Sequence, residues 1–173
     1  DYDHWASLGN EGWSYDEILK YFKKAEHNET FDDQYHGQGG PLNVSKIRHE
    51  NKPTKDFVEA GSKLYKYNED FNGEEQEGIG FYQTTQKDGK RCSTAKAYLV
   101  PALDRPNLTV LTEANVNKIL INNQKASGVE FIDVEGQSHI ISASKEVLLC
   151  SGAFGSPQIL LRSGVGPKEE IEK

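Results

Sequence analysis

Apolar positions recur along this 173-residue chain at two different periods, and each marks a different kind of element. Ile18, Leu19, Phe22 and Ala25 return at helical spacing, which predicts an amphipathic helix over Tyr15–Glu26 with a lysine-rich outer face. Ser14-Tyr15-Asp16-Glu17 is a capping box at its start, with Trp13 and Ile18 as the matching hydrophobic staple. Pro53-Thr54 opens a second predicted helix running to about Tyr65, with Phe57, Gly61 and Leu64 on one face. Arg91–Leu99 reads as a short helix capped by Ser93 and halted before Pro101. Elsewhere the period drops to two. Gly80–Thr85 alternates as a strand, and Lys87-Asp88-Gly89-Lys90 has the composition of a hairpin turn. Asn107–Leu111 and Ala114–Ile121 form an alternating β segment. Asn122-Asn123 then turns into Ala126–Asp133, and Glu135-Gly136 into His139–Ala143.

One stretch near the C-terminal end departs from both periods. Lys145–Cys150 contains the apolar run Val147, Leu148, Leu149 and Cys150, which reads as a fully buried strand. Ser151–Gly155 is a small-residue turn in which Gly152 and Gly155 allow tight bending and close approach of a ligand. Ser156 then reads as an N-cap with Pro157 at the first helical position. Ile159, Leu160 and Leu161 form the helix body, and Gly164 closes it in a left-handed C-cap before Pro167. Such a unit presents free N–H groups and a positive dipole end, where an anionic ligand can sit. On geometry alone, an ordinary strand-to-helix connection is the better reading, because such turns are common in α/β units.

Composition narrows the function classes. The net charge of −7 argues against nucleic acid and against anionic membrane surfaces as partners. Apolar content is 35%, and no apolar run approaches the roughly 20 residues needed to span a bilayer. Cys150 in the predicted buried strand and Cys92 in a polar loop read as two free thiols. Methionine is absent throughout and no secretory or transit signal is recognisable, as expected of an internal piece of a longer protein. Asn28, Asn43 and Asn107 lie in chance-level glycosylation sequons.

Candidate chemistry elsewhere is thin. His27–Asp33 is polar and loop-like, and the Gly-x-Gly-Gly of Gly37–Gly40 reads as a structural turn before a short strand over Pro41–Val44. It follows no convincing strand and opens no helix, so phosphate binding is the weaker reading. His36 reads as a solvent-facing loop histidine, because no second metal ligand lies at a useful spacing. The acidic run Asp70–Gly78 lacks the alternating ligands of a calcium loop and reads as a solvated charge run.

The literal residues from Gly152 to Gly166 add what the periods do not. Gly152-Ala153-x-x-Ser156-Pro157-x-Ile159-Leu160-x-x-Ser163-Gly164-Val165-Gly166 resembles, at every fixed position, the second signature of the glucose–methanol–choline (GMC) flavoprotein oxidoreductases. The resemblance extends to DYDHWASLGNEGWSYDEILKYFKKAE at the start, and to the Arg-x-Ser-x-x-x-x-Tyr-Leu spacing kept by Arg91, Ser93, Tyr98 and Leu99. For Arg91 plain loop anchoring is an equal alternative.

The family resemblance implies a mixed α/β (α+β) fold in two parts. Residues 1–90 would be a partial lid and substrate-side region, and 91–173 part of a Rossmann-like FAD-binding domain carrying a β-meander. FAD is the implied cofactor and a choline-like or aliphatic alcohol the implied substrate, oxidised at its CH–OH group. Ser151, Gly152, Ala153, Ser156 and Pro157 would contact the cofactor, and Val116 would meet the adenine through its backbone while also serving as a core valine. The pyrophosphate-binding Gly-x-Gly-x-x-Gly unit would lie upstream of Asp1, and the catalytic histidine with its His or Asn partner downstream of Lys173. None of the five histidines present matches that position, so no catalytic residue and no metal ligand is assigned, and the segment alone is expected to be inactive. Oxygen and a quinone-like acceptor both remain open for reoxidising the flavin. A non-catalytic binding or structural domain of GMC descent is the alternative reading.

Overall fold

The capping box at Ser14 does start a helix. In a computed structural model describing residues 1–172, α2 spans Tyr15–Ala25, and the Ser14 N–H and hydroxyl both donate to Glu17 Oε2, at 3.3 and 2.6 Å. These hydrogen bonds from Ser14 hold the Glu17 carboxyl below the usual carboxylate range. Ile18 is buried as the inward residue of the helix. A further helix, α1 (Tyr2–Ser7), precedes it where only a polar, aromatic stretch was expected. Its aromatic residues explain the gain: Trp5 meets Trp13 edge-on at 5.8 Å between ring centroids, and Tyr2 packs on Phe22 at the same separation.

The chain divides into two compact units, Asp1–Leu108 and a second beginning at Thr109. In the first, β1 (Glu26–Asn28), β2 (Leu42–Lys46) and β3 (Gln83–Thr84) form one sheet in that order, parallel between β1 and β2 and antiparallel between β2 and β3. The centre of this sheet is polar rather than greasy. Asn28 is the most buried residue, and it donates to Glu26 Oε1 and Gln83 Oε1, both at 3.0 Å. Its own Oδ1 accepts the backbone N–H groups of Thr30 and Phe31. Asn43, also buried, donates to Glu29 Oε1 and to the carbonyl of Gln86. A buried amide is tolerated when it is hydrogen-bonded, as both of these are. The same burial removes Asn28 and Asn43 from the candidate glycosylation sites.

Helix α3 runs over Lys52–Gly61, one turn shorter than the pattern suggests, and Asn51 caps it by accepting the Thr54 N–H at 2.9 Å. Its inward residue is Val58; Phe57 and Leu64 are exposed. Gly61 lies against Ile79, whose Cδ1 occupies the space a Cβ would need. Strands β4 (Gln86–Lys87) and β5 (Lys90–Arg91) enclose the expected hairpin turn, with Asp88 and Gly89 both left-handed at φ 51° and 72°. The segment after Ser93 is wider than a regular helix: a π-type turn over Ala95–Leu99 continues into a 3₁₀ turn at Val100–Ala102. Ser93 Oγ accepts the Lys96 N–H at 3.2 Å, as expected of a cap.

The second unit is an antiparallel meander, β6 (Asn115–Asn122), β7 (Lys125–Ile132) and β8 (Ser138–Ser142), with α4 (Gly152–Arg162) packed against β6 and followed by the short α5 (Lys168–Ile171). Asn123 and Gln124 carry the left-handed φ values of a tight β6–β7 turn. At the β7–β8 turn Asp133 accepts N–H groups from Glu135 and Gln137, and from His139 at 2.5 Å. The His139 hydrogen bond and the backbone donors hold the Asp133 carboxyl below its usual value. Ile119 of β6 and Ile159 of α4 are the buried apolar residues of this unit.

Three expectations from the pattern are corrected here. Asn107–Leu111 and Lys145–Cys150 are not strands, and Leu148 is 78% exposed. Their apolar runs lack the one thing a strand requires: among the described residues, no neighbouring strand pairs with either. The cysteines are consequently reversed. Both thiols are free, but Cys92 is buried and Cys150 exposed.

Candidate functional site

Helix α4 begins five residues earlier than the Ser-Pro pair suggests. Gly152 is its first residue and Ser151 its cap, so Ser156 and Pro157 stand inside the helix rather than at its start. Ser156 still serves the terminus, from within: its Oγ accepts the N–H of Ser151 at 3.1 Å, folding the cap residue onto the second turn. Pro157 has no N–H to offer the Ala153 carbonyl four residues before it. The small residues Gly152, Ala153 and Gly155 make the first turn permissive of that loss. Pro157 stands two residues after Gly155 and five after Gly152, and the chain already turns into the helix at the left-handed Gly152, which explains the misplacement.

Gly152 adopts φ +81°, in the left-handed region, and no atom lies within 4 Å of where its Cβ would be. The turn from Ser151 to Phe154 is exposed, and Phe154 is almost wholly so. No carboxylate occupies the first turn of α4. An open helix start with unpaired N–H groups, a left-handed glycine and no competing anion is suited to a phosphate or another anionic group. Gly164, φ +78°, ends the helix as expected. The Val165 N–H reaches the Leu160 carbonyl at 2.9 Å and the Gly164 N–H reaches Leu161, the paired bonds of a Schellman cap.

Val116 lies in β6, half-buried and opposite Phe131, next to a register irregularity between Val116 and Lys118. It belongs to the same unit as Ser151, Gly152, Ala153, Ser156 and Pro157, although no hydrogen bond among the described residues joins it to them. A hollow of about 390 Å³ opens beside it, lined by Glu113–Asn115 and Ile132–Val134.

What ties strand to helix is a residue for which the sequence pattern assigned no role. Ser163 Oγ accepts the Ile119 N–H at 2.8 Å and donates to the Ile159 carbonyl at 2.6 Å. The bond lies on the outer edge of β6, where no strand among the described residues takes that N–H. Ser163→Ala is expected to lower stability by about 1–3 kcal/mol, the range for orphaning a buried donor. Thermal unfolding of the full-length protein reads this directly, and an unchanged melting temperature would show that water replaces the hydroxyl.

The first unit holds a cluster that contradicts the expectation of a solvent-facing His36. The residue is only 3% exposed. Its Nδ1 lies 2.9 Å from Asp33 Oδ1 and its Nε2 3.4 Å from Asp70 Oδ1. Burial opposes ionisation of Asp33, but hydrogen bonds from the His36 ring and from the backbone of Tyr35 and His36 outweigh it and hold the carboxyl low. Asp70 and His36 are far apart in sequence, so spacing carried no signal of their meeting. A cavity of about 850 Å³ opens beside His36, lined among others by Tyr2, Tyr15, Phe22 and Tyr35.

Comparison with known proteins places the meander and its glycine-started helix. The chain belongs to the GMC oxidoreductase family, which it matches over residues 1–173 and whose cofactor is FAD. It is 44% identical over its whole length to the alcohol dehydrogenase [acceptor] of Pseudomonas putida, and 42% identical to the mitochondrial choline dehydrogenase of Homo sapiens. It spans 32% and 29% of those proteins, about a third of the curated relatives it matches. Among solved structures it superposes on pyridoxine 4-oxidase from Mesorbium loti with a TM-score of 0.86 at 31% identity, covering 99% of this chain and 34% of that one. An FAD-dependent oxidoreductase from Chaetomium thermophilum gives the same score at 28% identity, covering 97% and 32%. Among the described residues no helix is long and apolar enough to cross a membrane.

Proposed function

We propose that the protein carrying this chain is an FAD-dependent oxidoreductase acting on the CH–OH group of a choline-like or aliphatic alcohol. Residues 1–90 would contribute the lid and substrate side, and residues 91–173 part of the flavin-binding domain. The observation that carries the reading is the start of α4: Gly152 left-handed, the turn open, and no carboxylate in the first turn, all within the stretch that resembles the family signature. The names of the relatives, an alcohol dehydrogenase and choline dehydrogenases, support the substrate class.

FAD, when bound, supplies the hydride acceptor. The role of this chain is to hold it. Gly152 and Ala153 would offer backbone N–H groups at the positive end of α4, Ser151 would flank the cofactor as the cap residue, and Ser156 would keep that turn in shape by accepting the Ser151 N–H. Pro157 would stiffen the second turn, and Val116 would offer strand backbone on the adenine side. No side chain within residues 1–172 is assigned to proton transfer.

The test is anaerobic. Purified full-length protein with bound flavin is mixed with choline and with a series of primary alcohols, and flavin absorbance is followed. Bleaching by one class of alcohol supports the reading. A flavin that stays oxidised with all of them, in protein that holds it stoichiometrically, would sink the activity while leaving the cofactor site.

A further inference from the structure

We propose that Asp33, His36 and Asp70 form a site for one divalent transition-metal ion. His36 Nε2 and Asp70 Oδ1 are the coordinating atoms, and Asp33 orients the imidazole from its other side. The inference does not depend on the flavin reading, because the three residues belong to the first compact unit and none of them is in α4 or β6.

The argument starts from the ring. Asp33 Oδ1 lies 2.9 Å from Nδ1, which places the Nδ1 proton toward Asp33 and leaves the Nε2 lone pair facing inward. Among the described residues, Nε2 is the single buried side-chain nitrogen or oxygen with no hydrogen-bond partner. The side chain is 2% exposed, and the nearest polar group, Asp70 Oδ1 at 3.4 Å, is an acceptor as well. Two acceptors facing one another, with Nε2 buried and Asp70 20% exposed, repel, so the arrangement suits a positive species between them.

A metal ion fits the measured gap. Metal–ligand bonds of about 2.1 Å in tetrahedral geometry set neighbouring ligand atoms about 3.4 Å apart. The surrounding bonds preorganise both ligands. Asp33 Oδ1 also accepts the backbone N–H groups of Tyr35 and His36, and Asp70 Oδ1 accepts that of Asn72 at 3.0 Å. Phe31 packs on the imidazole at 5.2 Å between centroids. Carboxylate, histidine and metal in line is the usual outer-shell arrangement of histidine metal sites. One imidazole nitrogen with carboxylate oxygen suits zinc, cobalt or manganese rather than calcium. Entry is from the large cavity, whose wall includes His36, Asn72, Gly73 and Glu74, and water from it completes the coordination shell.

The competing species is a proton on Nε2, which would bridge the same two atoms. Full-length flavin-loaded protein is stripped with a chelator, dialysed against micromolar zinc chloride, and assayed for bound zinc by mass spectrometry alongside its melting temperature. Asp70→Asn carries the comparison, since it keeps the shape of the loop and removes one ligand charge, whereas His36 variants disturb a buried position. Wild type should hold one more zinc per chain than Asp70→Asn, and zinc should raise the melting temperature of wild type alone. Asp33→Asn should weaken zinc binding by about 10–100-fold, the usual effect of losing an outer-shell partner. Equal zinc content and equal thermal response in wild type and Asp70→Asn would overturn the proposal in favour of the proton bridge. So would a wild-type protein that takes up no zinc, whatever the variants do.

Discussion

Gly152→Val in the full-length protein is expected to abolish FAD incorporation while leaving soluble yield only moderately reduced. Gly152 sits at φ +81°, a conformation that a β-branched residue reaches only with strain of about 1–3 kcal/mol. Relief of that strain means moving the first turn of α4, and with it the N–H groups proposed to face the cofactor. At about 1.4 kcal/mol per factor of ten in affinity, the strain alone corresponds to a loss of roughly 5- to 150-fold, to which displacement of the N–H groups adds. Collapse of the fold is not expected, because nothing within 4 Å would meet the new Cβ. The helix also keeps its anchors elsewhere: Ile159 stays buried and Ser163 stays bonded to β6. Flavin-to-protein ratio and melting temperature measured on one sample separate the possibilities. A variant with its full complement of FAD would remove Gly152 from the cofactor site, and one that fails to fold would make it a packing glycine.

The opposite signature is expected at Gly37→Ala: loss of the fold rather than of a ligand. A Cβ at Gly37 would fall on the carbonyl oxygen of Lys23, with the Lys23 carbonyl carbon at 2.7 Å and its Cα at 2.8 Å. All three are backbone atoms in the last turns of α2, so no rotamer change relieves the clash. Gly37 also joins the sheet to its loop, donating to Glu26 Oε2 and accepting the Asn28 N–H. Overpacking of this kind costs about 3 kcal/mol or more when backbone must move. Gly39→Ala is the control. That residue is left-handed at φ +77° with nothing near its Cβ, so its cost is the conformational one, about 1–2 kcal/mol. Equal melting temperatures for the two variants would refute the close approach of the loop to α2.

Gly152 and Gly37 both stand in glycine-rich turns, yet one is open and the other packed against backbone. The same division runs through the whole chain. Features set by neighbours within a few residues were legible. The capping box at Ser14, the Asp88-Gly89 turn, the three strands of the meander and the Gly164 cap all follow from local φ preferences and short-range hydrogen bonds. The stretch from Gly152 to Gly166 was legible in another way, as a string of literal residues resembling a known family, and that resemblance proved to hold for the whole chain.

What the sequence could not decide were features that need a distant partner. Asn107–Leu111 and Lys145–Cys150 have strand composition, but a strand exists only where another backbone takes up its N–H and C=O groups, and none among the described residues does. Ser156 and Pro157 have the composition of a helix start, but the left-handed Gly152 begins the helix earlier and converts Ser156 into a partner for the Ser151 N–H. His36 reads as a loop residue because Asp33 is close by and Asp70 is not. Only folding brings the second carboxylate to 3.4 Å from a buried ring nitrogen. Local sequence set the turns, caps and meander of this protein, because their energies are local. Tertiary structure decided which apolar runs are paired, which glycines are crowded and which histidine faces two carboxylates, because those depend on chain segments whose separation in sequence carries no trace of their contact.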